Sequence, residues 1–176
     1  MSNTVWYEQV DIALIKLIHK VFGEDMKVRF RGEDDFTDNS LPYVAIQHLG
    51  ETFDLFRYDS NPVRLRDEGG YTVLEESAKP YTLHYQLTLT TDKITQMNYM
   101  SMLWNNEVTD YYNLDVVDMG GTTRSCYMRL EGRPIQQSEG LNEDRMFSST
   151  YSYKIWVEID ESKSFVRPLV TTVEIK

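Results

Sequence analysis

The sequence predicts an α+β fold: a mostly antiparallel sheet of mixed topology with two helices packed on one face. Two stretches space their apolar residues by three and four, whereas several others alternate apolar and polar residues with a period of two. The two kinds interleave along the chain as helix, strands, helix, strands. An amphipathic strand needs one face covered and an amphipathic helix needs a layer to cover, so helices on one face of a sheet satisfy both demands. The alternation argues against a doubly wound parallel sheet, whose central strands are apolar on both faces.

The first helix is marked by Val10, Leu14, Leu17, Ile18 and Val21, widened by Ile12, Ala13 and Ile15, with a start near Thr4 and a stop at Gly23. Met26 to Phe30 alternates as a strand, and a polar connection then leads through Leu41-Pro42 to the run Tyr43 to Leu49. The pattern continues from Glu51 to Tyr58, and Gly50 marks either a bulge or a hairpin. Residues 59 to 80 form a long excursion with Gly69-Gly70 at its middle, the pattern of a binding loop or of a small hairpin that orders against a partner.

The clearest strand is Tyr81 to Thr91, with Tyr81, Leu83, Tyr85, Leu87 and Leu89 on one face and Thr82, His84, Gln86, Thr88 and Thr90 on the other. Thr91 or Asp92 is expected to cap the second helix, which runs to about Asn106 and buries Ile94, Met97, Met100, Leu103 and Trp104. Strands follow at Leu114 to Met119 and Thr123 to Leu130, then a polar loop from Ser138 to Arg145. In the last long strand, Phe147 to Ile159, Trp156 interrupts the polar face, which implies either a cover or contact with another subunit. The end of the chain, Leu169 to Ile175, suits an edge strand or pairing with a neighbour's edge.

The chain of 176 residues predicts one domain, with the 59–80 loop and a 161–176 extension. Its 28 acidic and 18 basic residues give a formal charge of -10, which disfavours sequence-specific nucleic-acid binding. A lone cysteine, Cys126, forms no intramolecular disulfide and suits a reducing interior. The first residues lack the pattern of a signal peptide, and no apolar run has the length of a membrane span, so no membrane partner is expected.

Chemistry-bearing residues are scattered. His19, His48 and His84 fall in separate elements, and the pairs Asp115/Asp118 and Glu51/Asp54 have strand spacing that separates their side chains. Cys126 has Arg124 and Arg129 near it in sequence but no histidine partner, and Arg129 should face away on a regular strand. The glycine pairs lack the lysine and hydroxyl of a phosphate loop. No catalytic, cofactor-binding or metal-binding residue is assigned, and no cofactor is expected. The acidic stretches 33–38, 67–76 and 139–144 suit either solvated loops or, in a ring, a negative opening that sheds a passing nucleic acid.

The helix YEQVDIALIKLIHKVF, the strand LPYVAIQHLG, the strand YTLHYQLTLTTDK leading into the helix ITQMNYMSMLW, and the late strand STYSYKIWVEI occur in the order seen in phage tail-completion proteins. Over about residues 5 to 160 the chain resembles this tail terminator, or head-to-tail joining, family. The resemblance implies a non-enzymatic virion component of the tail or neck, made in the host cytoplasm, that forms a ring, most simply a hexamer. Such a ring ends the tail tube, contacts the tube protein and in contractile tails the sheath, and meets the head-side connector. DNA passes through it without sequence-specific contact. Candidate interface residues are then Tyr71 and Leu74 in the 59–80 segment, Trp156, and Val173 near the end of the chain. The segment 132–146 is a further candidate contact. Alternatives are a tail-tube, neck or baseplate protein of similar build, a non-viral adaptor that uses the sheet face and Trp156, and a small enzyme with a pocket around His48, His84 or Asp118.

Overall fold

A computed structural model describes residues 4–31, 40–53, 63–68, 71–76, 79–117, 121–140, 145–159 and 165–168. Helix α1, Thr4–Phe22, buries Val10, Ala13, Leu14, Leu17 and Ile18 along one stripe. It stops where expected: Gly23 adopts φ 97°, a conformation that favours glycine, and its N–H donates to the His19 carbonyl at 2.8 Å. His19 Nε2 lies 3.1 Å from the Met26 carbonyl and ties the helix end to the strand that follows.

Strands β1 (Lys27–Phe30), β2 (Tyr43–Phe53), β5 (Lys79–Thr91), β6 (Tyr111–Val117), β7 (Thr123–Leu130), β8 (Ile135–Glu139) and β9 (Met146–Ile159) form one curled sheet. Its order is β1-β2-β5-β9-β7-β6, and β8 joins β9 on the edge that β7 also uses. All pairings are antiparallel except β1 with β2. All 13 residues of β5 pair with β9, from Lys79 opposite Ile159 to Thr91 opposite Phe147. Gly50 proves to be a bulge in a continuous β2: the register shifts between His48 and Gly50, where Gly50 has φ 140°.

The 59–80 excursion contains a hairpin, β3 (Val63–Glu68) and β4 (Tyr71–Glu76), extended by β10 (Phe165–Pro168) into a separate three-stranded sheet. The expected strand over Leu169 to Ile175 lies outside the described residues. Strand β8 occupies part of what reads as a loop. It has no buried face, and a short all-polar run such as QQSE carries no signal of its own.

Helix α2, Ile94–Glu107, buries Met97, Met100, Ser101 and Trp104. Two expectations are corrected here. Ile94, in the first turn, is half exposed and Leu103 is only partly buried, while Ser101 is buried on the stripe. The N-cap is Lys93, with no side-chain cap, because β5 keeps its ladder as far as Thr91 and the helix begins only after it. The Thr91 hydroxyl instead donates to Gln96 Oε1 at 2.6 Å. Both helices contribute to the core over the inner face of the sheet. There Leu83, Tyr85, Leu87 and Leu89 of β5 and Tyr151, Tyr153, Ile155 and Val157 of β9 are buried. Trp104 is the hub: Nε1–H donates to the Tyr153 hydroxyl at 2.8 Å, and its ring stacks with Phe22 of α1 at 5.9 Å. Among the described residues, no helix is long and apolar enough to cross a membrane.

Candidate interaction surface on the outer face of the sheet

Strand alternation sends every second residue of the same strands to the opposite, outer face. Its centre is a lattice of short polar side chains. The Thr88 and Thr150 hydroxyls meet at 3.1 Å, Gln86 Nε2 donates to Ser152 Oγ at 3.5 Å, and Thr52 Oγ1 lies 3.2 Å from His84 Nε2. His84 Nδ1 is 3.7 Å from Glu131, and Lys154 pairs with the same carboxylate at 2.5 Å. At one end of the lattice a cavity of about 260 Å³ is lined by Tyr43, Thr88, Thr90, Ser148 and Thr150, with Arg31 and Glu139 also on its wall.

At the other end the surface turns aromatic. Cys126 and Met128 of β7 face the core, so Tyr127 and Arg129 face out. The register puts Tyr127 opposite Trp156 of β9 and Arg129 opposite Tyr111 of β6. Ring centroids lie 5.3 Å apart for Tyr127 and Trp156 and 5.6 Å apart for Tyr127 and Tyr111, and the Arg129 guanidinium is 5.5 Å from the Tyr111 ring. Tyr111 is 51% exposed and Tyr127 44%. A row of three aromatic rings with an arginine, two of the rings exposed and Trp156 half-buried, has the composition of a protein-contact centre.

Of the four interface residues read from the sequence, Trp156 takes its place in this row. Tyr71 and Leu74 lie on β4 of the separate sheet, Tyr71 in register with Glu68 and Pro168 and Leu74 with Leu65 and Phe165. Val173 lies outside the described residues. Tyr111 and Tyr127 lie beside Trp156 in the row, and the outward direction of Tyr127 follows from the inward parity of Cys126 and Met128.

The groups weighed for catalysis are not gathered into one site. The sheet separates His48 from His84: His48 lies between Tyr7 of α1 and Tyr85, with ring centroids at 4.9 and 5.0 Å, whereas His84 is on the outer face. Burial lowers the His48 pKa from its ordinary value, with Asp11 opposing. Asp11 accepts a hydrogen bond from the Tyr85 hydroxyl at 2.9 Å, and burial raises its pKa despite that bond. Cys126 is buried, and burial pushes its thiol up to about 11, outweighing the attraction of Arg124, so the thiol is protonated at neutral pH. Asp54 and Asp118 lie outside the described residues. Among those described, no three His, Cys, Asp or Glu side chains cluster as metal ligands.

No family model and no curated protein matches the chain. A solved structure does: the sheath/tube terminator of an extracellular contractile injection system, PVC, in its extended state. It is 16% identical with a TM-score of 0.53, and the match covers 96% of this chain and 63% of that one. The chain thus spans less than two thirds of that protein's length, and at this identity the likeness is one of fold. A second solved structure is 11% identical over 88% of this chain and 96% of its own, with a TM-score of 0.46, too slight to carry an argument.

Proposed function

We propose that this chain is a structural subunit that closes the end of a tail-like tube. The observation that carries this reading is a fold shared along 96% of the chain with a sheath/tube terminator. In this reading, copies form a closed ring, most simply of six, whose two faces differ. One face stops growth of the tube and the other receives the head-side connector, with the sheath as a further contact in a contractile particle. The row of Tyr111, Tyr127 and Trp156 supports a contact role, and Tyr71, Leu74 and Val173 are further candidates for subunit or tube contacts. A chain charge of -10 suits a channel through which DNA slides without being held. The protein acts in the virion tail or neck by geometry rather than by catalysis.

The test is to add the purified protein to polymerising tube subunits from the same particle and measure tube lengths by electron microscopy. Capping appears as shorter tubes with extra density at one end. Tubes of unchanged length with bare ends overturn the reading and favour an adaptor role.

A further inference from the structure

The described strands of the seven-stranded sheet end in β1 on one side and β6 on the other. Among the described residues, β1 pairs only with β2 and β6 only with β7. Strand β6 itself carries few of the devices that blunt an edge. All seven of its residues pair with β7 without a register shift, and its sequence, YYNLDVV, holds no lysine, proline or bulge of the kind that discourages strand addition. Large apolar side chains stand exposed at both of its ends, Tyr111 at 51% and Val117 at 42%.

The two edges also carry opposite charge. On β1, Lys27 stands opposite Tyr43 and Arg29 opposite Ala45, and Ala45 stands opposite the outward Thr88, so both cations lie on the outer face. Arg31 follows and bonds Gln47 in the same row of β2. On β6, the exposed outward residues are Tyr111, Asn113, Asp115 and Val117, and Asp110 precedes them: two carboxylates and no cation.

From these two edges we infer that a second copy of this chain docks by strand addition, β1 of one copy against β6 of the next. The inference rests on the ring reading above and names its subunit contact. The contact joins unlike surfaces, so an unclosed row of copies keeps one unused edge at each end until the ring closes. It brings Lys27 and Arg29 of one copy to Asp110 and Asp115 of the next, beside the outer aromatic row in which Arg129 already covers Tyr111. Arg29 already lies over the Tyr43 ring at 4.2 Å, so its guanidinium is ordered before the partner arrives.

The experiment is light scattering on the full chain and two charge-reversed variants, D110K/D115K on β6 and K27E/R29E on β1, with circular dichroism to confirm folding. Asp110 and Asp115 are exposed, so the β6 variant is expected to fold even if the β1 variant does not. The wild type is expected to give a multiple of 20.7 kDa, and the β6 variant that mass alone. An equimolar mixture of the two variants restores the oligomer, because each reversed edge then meets its complement. A β6 variant of wild-type mass, or a mixture of two folded variants that stays monomeric, overturns the inference. A wild type that caps tubes yet is monomeric at every concentration overturns it and leaves the tube-end reading standing. Failure of both assembly and capping overturns both.

Discussion

The two faces of the seven-stranded sheet come from the same strands, one residue apart, and they are built on opposite rules. The inner face of β5 and β9 is leucine, isoleucine, valine and tyrosine, buried in the helix-covered core. The outer face is threonine, serine and glutamine at its centre, joined by hydroxyl contacts, and aromatic at the β6–β7–β9 end. Burial on one side holds the register, because a slip of one residue would turn every leucine to solvent. With register held from within, the outer face is free to carry side chains that serve contacts. Stability is thereby assigned to one set of alternate residues, and in the proposed function contact falls to the other.

The largest effect expected from breaking this division is at Trp104. Trp104→Ala removes the hub between both helices and β9 and is expected to cost about 3–5 kcal/mol in urea unfolding. Tyr153→Phe keeps the ring but strands the Trp104 Nε1–H without its acceptor, an expected loss of about 1–3 kcal/mol by the same measurement. On the outer face, Trp156→Ala is expected to cost only about 1 kcal/mol or less, the value of its aromatic contact, while reducing binding to tube ends in sedimentation. A stability loss at Trp156 equal to that at Trp104 would show that the outer face is core after all.

The smallest expected effect sharpens the inner rim. Burial raises the folded-state pKa of Asp11 above its ordinary 3.8. The folded state therefore holds this proton more tightly than the unfolded chain. The Asp11 contribution to stability falls as pH rises from 3.8 through the folded pKa, and it is fully present below 3.8. The groups facing Asp11 are Glu8, His48 and Tyr85. Measured against Asp11→Asn, the wild type should gain relative stability on acidification from neutral pH. A difference that stays flat with pH would break the argument.

Much of this was legible in the residues. Both helices, the stop at Gly23 and the two faces of Tyr81–Thr91 and Phe147–Ile159 follow from local periodicity, since a helix or strand exposed to water on one side must write that side into its sequence. Trp156 stood out for the same reason, as a large ring on a polar face. Its companions did not. Nothing local tells Tyr127 and Tyr111 that β7 and β6 will continue the sheet beside Trp156, or β8 that it will share an edge of β9 with β7. Strand β1 likewise gives no sign that it will pair parallel to β2 and be the end strand of the described sheet. Period and parity are properties of neighbouring residues and can be read along the chain. Strand order, the aromatic row and the two charged edges depend on which distant strands pair, and that choice is made by packing the buried face as a whole.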